Sequence, residues 1–195
     1  MTRPVVSGRR VVLRRPTGAD RERFLALVRR SRQLHRPWAF PPRDARSFGA
    51  FVRGARSPRG LRLLVCTRAD GAIVGVVNLN EIVRGGLQSA FIGYYVFAGA
   101  TGHGYMTEAI GLVLRYAFGT LGLHRIEANV QPGNRRSLAL VARCGFRREG
   151  FSPRYLKIGG RWRDHERWAV VRGARRAPPG RARSAVRLPA RRGRR

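Results

Sequence analysis

The chain has 195 residues and a formal net charge of +31, from 41 basic and 10 acidic side chains. That length suits one domain with a sizeable core and some excess, and no run approaches the roughly eighteen apolar residues of a membrane span. Cys66 and Cys144 have no metal-ligand or redox spacing and read as reduced, buried thiols, so neither a disulfide framework nor a metal site is expected. The first ten residues, MTRPVVSGRR, lack a long apolar segment, so no secretory signal is read and the expected location is the cytoplasm. Lys157 is the only lysine. GC-rich codons account for part of the arginine bias, but the excess charge attracts polyanions such as nucleic acid and repels small cations.

In chain order, residues 9–15 (RRVVLRR) read as a short first strand, ended by Pro16. Thr17 or Asp20 then caps a helix whose Phe24, Leu27 and Val28 face inward. Residues 34–42 (LHRPWAFPP) read as a loop, in which Trp38 and Phe40 either plug the core edge or wall a substrate cleft. A helix over 45–56 and a strand over 61–67 follow. Asp70-Gly71 marks a hairpin turn into IVGVVNLNEIV at 73–83, and a turn at 84–86 leads into the strand around Phe91. Three strands joined by tight turns predict an antiparallel meander.

Residues 91–109, FIGYYVFAGATGHGYMTEA, combine an aromatic strand, a glycine-studded turn and the start of an amphipathic helix. Gly99, Gly102 and Gly104 permit a backbone path that side chains would strain, and leave amide N–H groups uncovered. Met106, Ile110, Val113, Leu114, Ala117, Phe118 and Leu121 recur at helical spacing. Unpaired amides and the positive end of a helix dipole then converge on one point suited to phosphate, a plain strand-to-helix turn being the alternative. A dinucleotide turn would continue to a third glycine, where this chain has Thr107. A nucleoside-triphosphate loop would place lysine after the last glycine, and none is there.

A strand at 125–130 (RIEANV) follows the crossover helix. Asn134, after Pro132-Gly133, reads as the N-cap of a short helix carrying Ser137, Leu138, Val141 and Ala142 and ended by Gly145. Residues 155–158 and 163–171 form a last hairpin around Gly159-Gly160. Residues 172–195 contain no acid and recurrent arginine, which predicts a disordered basic tail and a candidate RNA contact.

With these residues in place, the chain resembles the GNAT superfamily of acetyl-CoA-dependent N-acetyltransferases, and most of all the ribosomal-protein-alanine enzymes of the RimJ/RimL type. Four stretches carry the resemblance: HRPW at 35–38, GATGHGYMTEA at 99–109, HRIEANVQPGNRRS at 124–137, and 145–165 from GFRREG to RWRDH. It implies an acetyltransferase domain over 1–171, an α/β (α+β) fold with a mixed, mostly antiparallel sheet splayed between the Phe91 and Arg125 strands and flanked by helices. It implies acetyl-CoA as co-substrate and no metal. The pantetheine arm is expected beside Tyr95 and Val96, and the pyrophosphate at Gly102, His103, Gly104, Tyr105, Met106 and Thr107. Asn134 is expected near pantetheine and Ser137 near the sulfur. Trp38, Glu81 and Tyr155 are the candidate substrate-side residues. The implied reaction is direct attack by an amine on the thioester.

The chain departs from that pattern at Thr101, at Met106 and above all at Arg154, where relatives carry an acid that serves as candidate base. Elimination among the ten acids leaves Glu81 and Glu127, both in strands beside the expected cleft, each equally readable as an arginine-paired strand residue. A base is worth about 10² to 10⁴-fold. An α-amine of pKa 7.7–8.0 is roughly a third neutral near pH 7.5, whereas a lysine is only about 0.1% neutral. A site without a strong base therefore suits a protein N-terminus, with Glu127 or water relaying the proton and Ser137 protonating the thiolate. The alternatives are a small-amine acetyltransferase, and a catalytically weak ribosome- or RNA-binding protein of the same fold.

Overall fold

The computed structural model describes residues 3–55 and 57–173. All but the first two residues of the expected tail lie outside the described residues. The chain begins with strands β1 (Val6–Ser7) and β2 (Val11–Arg14), a 3-10 turn (Gly18–Asp20), and helices α1 (Arg21–Arg30), α2 (Arg32–His35) and α3 (Ala45–Gly54). The meander follows as β3 (Gly60–Thr67), β4 (Ile73–Val83) and β5 (Ser89–Val96). Helix α4 (Tyr105–Gly119), β6 (Arg125–Val130), α5 (Arg135–Arg143), β7 (Arg147–Ile158) and β8 (Arg161–Val171) complete it. The strands form one sheet in the order β1-β2-β3-β4-β5-β6-β8-β7. Every pairing is antiparallel except β5 with β6, which the α4 crossover makes parallel.

Helices cover both faces, so β3 is apolar almost throughout rather than alternating. Leu61, Leu63 and Val65 join Ile110, Val113 and Ala117 of α4 in one core, while Leu64 and Cys66 join Phe24 of α1 and Phe48 and Phe51 of α3 in the other. Phe24 is fully buried, its ring 4.9 Å from Phe48 and 5.6 Å from Phe97, the latter edge-on. Such aromatic contacts add to what burial alone contributes. No helix among the described residues is long and apolar enough to cross a membrane.

Three element boundaries differ from those read in the sequence. The proline-rich stretch opens with the short helix α2, and a two-residue strand precedes β2. The final hairpin is longer, because β7 begins at Arg147. No residue of β7 is buried, so it lacks the apolar alternation by which a strand is recognised, and its pairing with β8 defines it instead.

Asp20 fastens the start of the chain. Its carboxylate accepts two hydrogen bonds from the Arg14 guanidinium, at 2.9 and 2.6 Å, and further ones from the Thr17 amide and hydroxyl. Burial works to raise its pKa, but the Arg14 and Thr17 bonds outweigh it and hold it below the ordinary aspartate value. A depressed carboxylate contributes stability that is fully present above the unfolded-state pKa near 3.9 and is lost as pH falls through the lower folded value. Asp20→Asn is expected to cost about 2 kcal/mol at neutral pH, on the scale of hydrogen bonds to a charged group. In denaturant melts the gap to the parent protein should narrow below about pH 4.

Candidate active site

Strands β5 and β6 pair over only three positions, Ser89↔Arg125, Ala90↔Ile126 and Phe91↔Glu127. Beyond Phe91 they part, and a cleft of about 960 Å³ opens between β5, the N-termini of α4 and α5, and the α2 segment. Trp38 closes one side of it. A Cβ on Gly133 would stand 3.0 Å from the Trp38 ring, so the absence of a side chain there lets the indole lie against the turn before α5.

The phosphate-type loop has the form that its glycines require. Gly99, Gly102 and Gly104 have φ of 85°, 83° and 73°, in the left-handed region where a side chain is strained. No side chain caps α4, and the amides of residues 102–107 make no hydrogen bond among the described residues. These donors and the helix dipole address the cleft. Arg10 holds the loop from behind: its amide and Nε donate to Glu108 at 2.8 and 3.0 Å, and Nη1 donates to the His103 carbonyl at 2.8 Å. Burial works against ionisation of Glu108, but the Arg10 bonds prevail and lower its pKa. Gly75 seats the helix: a Cβ there would stand 2.7 Å from the Tyr95 carbonyl oxygen and 2.9 Å from the Met106 methyl.

On the other wall the Tyr94 hydroxyl lies 2.6 Å from Ser137 Oγ, and burial pushes the Tyr94 phenol up to about 12. Asn134 caps α5, its side-chain oxygen accepting from the Ser137 amide at 3.2 Å. His35 Nε2 donates to the Val96 carbonyl at 2.9 Å, which leaves Nδ1 unprotonated, and burial lowers the ring's pKa.

The cleft brings together Trp38, Tyr95, Val96, Gly102, Gly104, Tyr105, Met106, Thr107, Asn134 and Ser137 from the expected set. His103 does not line it; its ring stacks on Tyr105 and its Nδ1–H donates to the Thr101 carbonyl. Glu127 is tied to Arg125 at 2.9 Å, the arginine-paired alternative of the sequence reading. Glu81 sits at a bulge of β4 with φ 48° and pairs with exposed Arg59 at 3.7 Å, outside the cleft lining. Tyr155 packs edge-on against His165, also outside that lining. Tyr94 and His35 also line it, beyond the residues expected from the sequence. Tyr94 had a signal, since it alternates with the buried Ala90 and Ile92 on the helix-covered face. His35 had none beyond its place in the HRPW stretch. Among the described residues no carboxylate lines the cleft, whereas Arg36, Arg135, Arg136 and Arg143 do.

The acetyltransferase (GNAT) domain family matches residues 10–147. The probable N-acetyltransferase YjcK of Bacillus subtilis is 45% identical over 107 residues, which cover 55% of this chain and 59% of that protein. The [Ribosomal protein uS5]-alanine N-acetyltransferase of Escherichia coli is 44% identical over 93 residues, 48% of each. The chain thus spans about half the length of these curated relatives. The solved structure of Mycobacterium smegmatis RimJ in complex with CoA-disulfide superposes with a TM-score of 0.76 at 33% identity, over 83% of this chain and 82% of that one. A glycine loop feeding α4, a sheet splayed at β5 and β6, and a family match over most of the chain agree: the protein belongs to the GNAT acetyltransferase family.

Proposed function

We propose that this protein transfers an acetyl group from acetyl-CoA directly to the α-amine of a protein N-terminus, with a ribosomal protein as the expected substrate. The observation that carries the reading is the composition of the cleft, in which uncovered amides and four arginines meet no carboxylate among the described residues. Such a lining fits the anionic, phosphate-bearing end of CoA. It weighs against a polyamine or aminoglycoside acceptor, whose several positive charges need acidic partners.

Acetyl-CoA, when bound, supplies an acetyl group activated as a thioester. The amides of residues 102–107 are placed to hold the pyrophosphate. The edge of β5 around Tyr95 and Val96, which has no strand neighbour beyond Phe91, offers backbone partners to the pantetheine arm. Asn134 keeps its side-chain N–H donors available, since capping uses only its oxygen. Tyr94 and Ser137 supply two hydrogen-bonded hydroxyls near the expected position of the sulfur. A phenol near 12 lies several units above an ordinary thiol at about 8.5. The pair therefore serves as a relay that passes a proton on, rather than as an acid that ionises. The charge of +31 further suits work beside RNA in the cytoplasm, where a ribosome contact raises the local concentration of substrate.

The first test is incubation with acetyl-CoA and a panel of peptides, read by mass spectrometry. Acetylation is expected at free N-terminal amines and to be far weaker on internal lysine or spermidine; absence of product across a diverse panel sinks the proposal. In the relay, Tyr94→Phe and Ser137→Ala should each lower kcat about 10²-fold with little change in the KM for acetyl-CoA. The double variant should be hardly worse than either single one, since members of one unit are not additive. Gly104→Val forces a side chain into the left-handed region and brings Cβ to 3.0 Å from Arg10. Titration calorimetry should show CoA binding weakened tenfold or more, about 1.4 kcal/mol.

A further inference from the structure

Residues 21–43 hold seven arginines and one acid, Glu22. Arg29, Arg32 and Arg36 follow one another at three- and four-residue intervals, so the run from α1 into α2 brings them to one face. The loop after α2 returns Arg43 to the same place. These four arginines line a recess of about 220 Å³, backed by Val28 and His35, which are buried. Among the described residues no carboxylate lines it. Glu22 lies about two turns away along α1, and Asp44, next to Arg43, caps α3.

These arginines are not spent elsewhere in the fold. Among the described residues the side chains of Arg29, Arg32 and Arg36 make no hydrogen bond or ion pair. Arg43 lays its guanidinium over the Phe40 ring, 5.4 Å from the centroid, which leaves its N–H donors available. Like charges gathered in a concave site repel one another and focus a positive field, and a bound anion relieves both. The shape favours phosphate over carboxylate. A carboxylate presents two oxygens in one plane, whereas a phosphate presents its oxygens in tetrahedral directions, which suits guanidinium forks arriving from α1, α2 and the loop.

We propose that this recess seats a backbone phosphate of single-stranded RNA, held by Arg29, Arg32, Arg36 and Arg43. Arg21, Arg23, Arg30 and Arg46 are exposed on α1 and α3, so a polymer gains at successive phosphates where a free phosphate ion would not. A single strand can bend a phosphate into a recess, whereas a duplex carries its phosphates on a stiff cylinder. RNA as the source rests on the proposed ribosomal substrate. The position fits that use. His35 lines both the recess and the cleft, and its Nε2 holds the Val96 carbonyl at 2.9 Å. RNA seated here lies beside the α2 wall of the cleft, where it raises the local concentration of an N-terminus belonging to an RNA-bound protein.

The test measures binding of a fluorescent oligouridylate of about twelve nucleotides to the full chain by anisotropy, over a range of salt. One variant combines Arg29→Gln, Arg32→Gln and Arg43→Gln, which lie outside the cleft lining. A control combines Arg9→Gln, Arg115→Gln and Arg172→Gln, which removes the same charge from exposed positions elsewhere. The recess variant should lose about tenfold or more in RNA affinity, and its log–log salt slope should become shallower by about 0.7, the share of one single-strand phosphate. The control should lose less than about threefold with its slope unchanged. CoA affinity should be the same in both, which reports that each is folded. No RNA binding, equal losses in the two variants, or displacement of the RNA by polyaspartate at the same concentration of charge overturns the proposal. Recess-dependent RNA binding without acetyl transfer to peptides defeats the proposed function alone, and transfer with equal RNA affinity in the two variants defeats the recess alone.

Discussion

Two parallel strands that stay together for three residue pairs and then part create every feature of the cleft. The crossover through α4 obliges β5 and β6 to be parallel, and parallel neighbours need no tight turn to hold their far ends together. The gap is kept open by groups from both sides. Tyr94 reaches from β5 to Ser137 at the start of α5, and Asn134 fixes that start by capping it. On the other flank Gly75 admits Met106 to the sheet, which brings the α4 N-terminus and its uncovered amides to the mouth of the gap. The same separation leaves one edge of β5 unpaired. Binding surface and anion cradle are thus consequences of one topological choice.

The scarcity of acids decides the chemistry as much as the geometry does. Nine of the ten carboxylates are already engaged. Asp20, Glu81, Glu108, Glu127, Glu149 and Glu166 pair with arginines. Asp44 caps α3, Asp70 closes a turn, and Asp164 accepts from the Arg154 amide. That last contact bears on the candidate base implied by the resemblance. Arg154 has φ 46° at an irregular point in the β7·β8 register, so this position, where the resemblance implies an acid, serves here as a backbone fastening. A chain with so few acids spends them on holding arginines in place.

The meander and the glycine loop were legible because each has a local physical cause. The turn at Asp70-Gly71 dictates a hairpin, and glycines at 99, 102 and 104 are required by the φ values they adopt. What was not legible depended on contacts distant in sequence. Arg10 clasps a loop more than ninety residues away, and nothing in RRVV announces it. The bond between Tyr94 and Ser137 spans 43 positions. Glu81 read as a cleft residue because its strand borders the cleft, but a bulge after Asn80 turns the chain and sends its side chain to solvent. A one-residue irregularity reverses which face a side chain occupies, and no composition rule foretells it. β7 is longer than the sequence predicts for the complementary reason, since a strand with no buried residue has no pattern to read.

The lack of a carboxylate in the cleft lining, among the described residues, is consistent with the rest of the molecule. A base is needed in proportion to how firmly the acceptor holds its proton, and that is set by the surroundings as well as by the amine. Four arginines line the cleft, and like charges lower the pKa of an approaching ammonium, as does its desolvation. An α-amine begins near 8, so a modest shift makes its neutral form predominant at neutral pH. A lysine or polyamine begins more than two units higher, and the same field first resists its approach. On the proposed reading, the positive lining would do two things that a carboxylate would undo: hold the anionic co-substrate, and favour the neutral form of an approaching amine.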